Sequence, residues 1–450
     1  MLPFLSTLFL IQATPNPPQE IVKPQEVRPL PGQLDAVPMF NSNSPELVLK
    51  EGILLSTFPP EGKKFPAAHL NFPFSGRFDL FAHHVAKAEP PENLQTLYLG
   101  VIVHNPGRVP VKLDILQAVS YLSQPDAPFI ELPAMVENPD GRVYAGPGSR
   151  ATNDILRGLT QAEWPAQLLI PPGNSQMLMN LPIPVRELTP PLNGRSTIMR
   201  LRSNGKVYMA SLAMFAKQNP DGSERAPTLE EWQQLLETGD LSTPRDKTPT
   251  PLDAVSNFIY GRVAGVARGS VWKAQLVDRP GSFDLTIPQP GEAFSYGLST
   301  LVRGTLGTNQ VQSAPMLVRY PDTAYQAHGN YAIEYNLTLP LSNPTPQPQT
   351  VTIAIQTPIK EDQLSQPGLR FFAPPPQQVF FRGTVRISYN DDWGIPRTRY
   401  FHLVQRRGQQ GEPLVQLNLP PGSRRLVAVD FVYPPDATPP QVLTVETLKR

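Results

Sequence analysis

Tyr331-Ala332-Ile333-Glu334-Tyr335-Asn336-Leu337-Thr338-Leu339 carries an apolar side chain at every second position. Successive side chains on a strand point to opposite faces, so this run reads as a strand with one buried face. After the turn at Asn343-Pro344, Val351, Ile353 and Ile355 interleave with Thr352 and Ala354. Val415, Leu417 and Leu419 lead into Pro420-Pro421-Gly422, beyond which Val427, Val429, Phe431 and Tyr433 alternate. A one-residue slip would turn each of these faces to water, so the register is well specified. Two alternating runs on either side of a short turn predict a hairpin.

The same plan stands earlier in the chain. Leu99, Val101 and Val103 alternate, Asn105-Pro106-Gly107 makes a turn, and Val111, Leu113 and Ile115 alternate after it. Leu168 to Ile170, Pro171-Pro172-Gly173 and Met177 to Leu181 form a second strand–turn–strand unit. Each copy begins with an Ala-His pair, Ala82-His83 and Ala327-His328. The reading is a mainly β chain of two antiparallel β-sandwich domains of immunoglobulin-like type, with one or two short helices between them. The shared plan points to a duplication.

Composition agrees with this class. The chain has 56 prolines in 450 residues. Proline removes a backbone donor and breaks helix interiors, so a largely helical fold is excluded. One helix is signalled over 228–238, where Thr228 and Glu231 have capping-box spacing and Trp232, Leu235 and Leu236 follow at helical spacing. Residues 32–239 then read as the first β-domain, 240–256 as a linker and 257–450 as the second β-domain. The apolar run Leu2 to Ile11, with Ala13 as a cleavage site, reads as an export signal over residues 1–13. Residues 14–31 read as a polyproline-like linker. No stretch is long and apolar enough for a transmembrane span. A net charge of +1 lacks the basic excess of a nucleic-acid binder. The chain has no cysteine, which removes disulfides and thiolate chemistry.

Motifs for chemistry are sparse. His83-His84 would point to opposite faces of a strand, so the pair does not read as a metal site, and no cofactor is expected. Gly261-Arg262-Val263-Ala264-Gly265 lacks the lysine of a phosphate loop and reads as strand and bulge glycines. Asp391-Asp392 and Asp221 lack the alternating spacing of a calcium loop and read as turn residues. The one charged cluster lies in a hairpin over 379–407. Arg382, Arg386, Arg397 and Arg399, with Trp393 among them, are the candidate anion- or polymer-binding residues, because guanidinium forks grip carboxylates and phosphates. The alternative for that hairpin is a solvated edge whose charges discourage strand addition.

Four strings carry a resemblance: Val27-Arg28-Pro29-Leu30-Pro31-Gly32, Phe40-Asn41-Ser42-Asn43-Ser44-Pro45-Glu46, Tyr121-Leu122-Ser123-Gln124-Pro125-Asp126-Ala127-Pro128, and Tyr433-Pro434-Pro435-Asp436-Ala437-Thr438-Pro439-Pro440. They resemble an uncharacterised family of cyanobacterial proteins classed as a domain of unknown function, over nearly the whole chain after the leader. The resemblance implies an envelope setting and brings no catalytic residues. The expected function is a non-catalytic structural or binding component of the periplasm or cell envelope. Its expected partner is an anionic envelope polymer or an envelope protein. The alternatives are a hydrolase whose carboxylate pair only the fold assembles, and a carbohydrate-binding module, which 4 tryptophans support poorly.

Overall fold

The alternating run beginning at Tyr331 becomes strand Glu334–Ser342 in the computed structural model, which describes residues 18–255 and 257–449. The chain is mainly β, with several sheets and two α-helices among the described residues. The export signal at 1–13 and the first residues of the 14–31 segment lie outside the described residues.

The four strand–turn–strand units are not hairpins. Strand Leu97–His104 pairs with Ser175–Ile183, while Val111–Leu122 pairs with Gln167–Ile170. In the later half, Glu334–Ser342 pairs with Arg424–Val432, and Gln349–Gln356 pairs with Val415–Leu419. Each turn therefore carries the chain away from its own strand as an arch, into another sheet in the later half and into another part of the sheet joined by Leu192–Phe215 in the earlier half, and the two arches of each half stack on one another. One buried side chain holds the crossing. Asn105 spends its side-chain amide on the carbonyls of Val109, Ile170 and Pro171, and so closes the crossing onto the neighbouring arch rather than onto its own strand. Leu337, Leu339, Val351, Ile353, Leu417 and Val429, drawn from both sheets of the later half, enter one apolar core.

Strand Leu192–Phe215 organises the earlier half. It pairs with Phe74–Lys87 and Val111–Leu122 up to Ser203, then shifts register and pairs with Leu97–His104 and Gly52–Ser56. The halves exchange strands. Ala264–Arg268 pairs with Pro38–Ser42, Gln33–Leu34 pairs with Val271–Gln275, and Met135–Glu137 pairs with Pro396–Arg406.

Two segments read as linkers are built into this structure. In the 14–31 segment, Gln19–Lys23 pairs with Leu369–Ala373, and Glu26–Arg28 pairs with Ala293–Leu298. Pro24, Pro29 and Pro31 fall between and after these strands, where no ladder donor is lost. In the 240–256 segment, the Ser242 N–H donates to Ile53 O, and Ile53 N–H donates to Asp240 O. Arg245 grips Asp322 at 2.8 Å, and Ser44 Oγ donates to Asp246 at 2.7 Å. These contacts strap the segment to the sheets instead of leaving it loose.

The helix expected over 228–238 is Leu229–Thr238, α2, with Thr228 as N-cap, the reciprocal Glu231 bond of a capping box, and Gly239 at its end. The sequence reading missed α1, Pro147–Leu156. It packs against Val111–Leu122 and Leu192–Phe215 on one side and Val379–Asn390 and Arg424–Val432 on the other. Gly148, Ser149, Thr152 and Asn153 are weak helix formers, and packing overrides that preference. The buried hydroxyls of α1 bond locally, Ser149 Oγ to Ala145 O and Thr152 Oγ1 to Gly148 O.

Candidate functional site

Strand Pro38–Ser42 runs between two cores. Phe40 enters the core of the earlier half, and Met39 enters that of the later half. By strand parity Asn41 and Asn43 follow Met39. Both are buried, and both line a cavity of about 200 Å³. The opposite wall comes from loop 327–331, where Asn330 sits at φ 50°. Its side chain accepts from Ala314 N and donates to Gln312 O and to Tyr335 Oη, which fixes the loop. Gly329 is needed there, because a Cβ would stand 2.4 Å from the Tyr331 ring. The loop holds His328 in the cavity wall. Tyr260, Arg262 and Lys360 complete the polar lining.

His328 is unlike the other histidines. His69, His83, His84, His104 and His402 each have a ring nitrogen on a serine or threonine hydroxyl. His328 is 6% exposed, and neither of its ring nitrogens has a hydrogen-bond partner among the described residues. Burial pushes its pKa down to about 4, and the nearby Lys360 charge adds to the shift, so the imidazole is neutral at physiological pH. Its ring meets Tyr260 edge-on at 4.8 Å and Phe258 at 6.4 Å. Asn41 Oδ1 and Asn43 Oδ1 are likewise unbonded. A buried polar atom without a partner costs about 1–3 kcal/mol, so four such atoms on residues lining one cavity are an expensive arrangement.

The charges around the cavity are unequal. Arg262 is held by Glu46, whose other oxygen lies 3.6 Å from His83 Nε2. Burial alone would raise the Glu46 carboxyl, but His83 and Arg262 outweigh it and hold it below its ordinary value. Lys360 stands exposed at the edge, with Nζ donating to Tyr260 Oη at 3.1 Å. Tyr260 Oη donates in turn to Val302 O at 2.7 Å. Among the described residues the lining contributes no carboxylate.

The other sequence candidates take structural places. His83 and His84 do point apart: His83 bonds Ser196 Oγ, while His84 receives the Ser42 hydroxyl and donates to Pro45 O. Asp391 accepts from Trp393 N and Ile395 N, and Asp221 accepts from Ser223 N, as turn residues do. Gly265 lies in strand Ala264–Arg268, and Gly261 lies in the preceding loop and lines the cavity. In the 379–407 hairpin, Phe381, Val385 and Ile387 face the core, and Arg382 and Arg386 share the other face. Arg386 pairs with Asp430 at 3.1 Å, Arg397 with Asp391 at 2.8 Å, and Arg399 with Glu137. Arg382 lies over the Phe129 ring at 5.3 Å, and Trp393 is 84% exposed at the hairpin tip. The hairpin is a row of largely satisfied charges, not an open cluster.

The sequence reading missed Asn41, Asn43, Tyr260 and Lys360, and knew His328 only through the repeated Ala-His pair. These residues come from four separate segments, and no spacing rule joins them. Two of the four strings of the resemblance meet at the cavity, through Asn41, Asn43, Thr438 and Pro439, and all four make structural contacts. The Leu30 N–H donates to Gln310, Glu46 holds Arg262, Tyr121 donates to Asp154 of α1, and Thr438 and Pro439 line the cavity.

The sequence profile of DUF3370, described as a protein of unknown function, matches residues 25–447. The chain belongs to this family. A search of the curated proteins found no match. Among solved structures, Lac15 from a marine microbial metagenome is 9% identical, with 83% of this chain and 53% of Lac15 covered and a TM-score of 0.11. The chain thus spans about half the length of Lac15. Oxalate decarboxylase of Bacillus subtilis is 11% identical, with 87% of this chain and 81% of that chain covered and a TM-score of 0.10. At these TM-scores neither likeness bears on the fold or the chemistry of the DUF3370 chain. No helix among its described residues is long and apolar enough to cross a membrane.

Proposed function

We propose that this protein is a non-catalytic binding component of the cell envelope, and that the His328 cavity holds its ligand. One observation carries the reading: His328, Asn41 and Asn43, each with buried polar atoms that have no partner among the described residues, line one cavity from opposite sides. Concave sites with a few convergent polar groups are where small ligands bind. A ligand that bonds these atoms offsets their desolvation cost. The envelope setting follows from the apolar run Leu2 to Ile11 and the Pro-rich residues after it. The arginine hairpin supports polymer binding less well, because Arg386, Arg397 and Arg399 already hold carboxylates of this chain.

Co-sedimentation with the native envelope fraction tests the proposal. Wild type should sediment with the envelope, and His328→Phe should stay in the supernatant at an unchanged melting temperature. If His328→Phe sediments as wild type does, the cavity is not the binding site.

A further inference from the structure

We infer that the His328 cavity takes a single acidic sugar residue, a hexuronate whose carboxylate sits on Lys360; this rests on the binding role proposed above. Three properties of the wall select the class. First, Asn41 and Asn43, whose buried Oδ1 atoms have no partner among the described residues, line the cavity, and amide oxygens pair with hydroxyl donors. A bare phosphate or carboxylate has none to give, and a polyol has several. Second, neutral His328 offers one N–H and one lone pair, and a hydroxyl satisfies either. Third, Lys360 is the cation of the lining that has no carboxylate partner among the described residues. Arg262 is held by Glu46, whereas Lys360 rests on the Tyr260 hydroxyl and ring. An ammonium in that position favours an anionic group at the mouth. Leu301 and the Tyr331 ring supply apolar wall for the carbon face of a sugar.

Size limits the ligand further. Pockets for drug-sized ligands run from about 300 to 1,000 Å³, so about 200 Å³ suits one ring rather than an oligomer. The exposed Lys360 and Thr438 at the edge leave room for the rest of a polymer to continue outside.

Titration of the full chain with galacturonate, glucuronate, galactose, glucose and acetate, followed by calorimetry, tests this. A uronate should bind on the order of tenfold or more tighter than the matching neutral sugar, the effect of one charge-assisted hydrogen bond. Lys360→Met should remove that difference and keep the weaker neutral-sugar binding. Equal binding of uronates and neutral sugars by wild type overturns the acidic class and leaves the cavity as a sugar site. Acetate binding as tightly as uronate overturns the sugar class. If no sugar binds but the envelope fraction still binds in a His328-dependent way, the ligand class is wrong and the binding role stands. If neither binds, both fall.

Discussion

Asn105 and Asn343 hold the same place in two copies of one hydrogen-bond pattern. Asn105 Nδ2 donates to the carbonyls of Val109, Ile170 and Pro171, and Asn343 Nδ2 donates to those of Gln347, Leu419 and Pro420. The backbone matches as well. Asn105 N–H donates to Asn174 O and its carbonyl accepts from Gly173, while Asn343 N–H donates to Ser423 O and its carbonyl accepts from Gly422. Both side chains are completely buried. Asn105→Ala or Asn343→Ala strands several carbonyls at an arch crossing, and each should cost about 3 kcal/mol or more. Urea denaturation checks this; a loss near zero for either would mean that the crossing is held elsewhere.

Gly100 makes room for α2. A Cβ at this position would meet three atoms of the Trp232 ring at 2.7–2.9 Å, and that ring is fully buried. Gly100→Ala should therefore destabilise the chain by about 1–3 kcal/mol through overpacking and shift the Trp232 fluorescence. An unchanged melting temperature and spectrum would contradict the packing described.

The exchanged strands predict how a cut chain behaves. Residues 251–253 are exposed and carry Pro251 and Leu252, so a protease site engineered there should be cleaved readily. The fragments should stay together, because Ala264–Arg268, Gln33–Leu34 and Met135–Glu137 each pair across the cut. Size-exclusion chromatography without denaturant should show one peak of full mass. Two separately folded peaks would restore the picture of independent domains.

Acid should weaken the fold before its carboxylates titrate. Burial holds His84, His328 and His402 at about 4, against 6.5 for an unhindered imidazole. Between those values the unfolded chain binds more protons than the folded one, so stability falls as pH falls from 6.5 towards 4. Asp436 works the other way, since burial raises its carboxyl. Urea midpoints should drop across this window, and His84→Gln should flatten the slope. A flat profile from 6.5 to 4 would refute the buried neutral histidines.

Strand positions and the α2 boundaries were legible because period and capping are local. Leu337, Leu339, Val351 and Ile353 alternate as the register requires, and Thr228 and Glu231 cap as their spacing demands. Pairing partners were not legible. Whether the strands around Asn343-Pro344 fold back as a hairpin or cross as an arch depends on where the Asn343 amide finds its carbonyls, and those lie more than seventy residues away at Leu419 and Pro420. The cavity was hidden for the same reason. Asn41 and His328 are polar residues in unremarkable company, and only the strand exchange between the halves brings them to one cavity.

Imidazole nitrogen resonances of the six histidines, recorded with and without a solubilised envelope polysaccharide fraction, test the central claim most directly. His328 is the one histidine with both nitrogens unbonded, so its resonances should move while those of His69, His83, His84, His104 and His402 stay in place. If His328 does not move, or all six move together, the cavity is not where this protein binds.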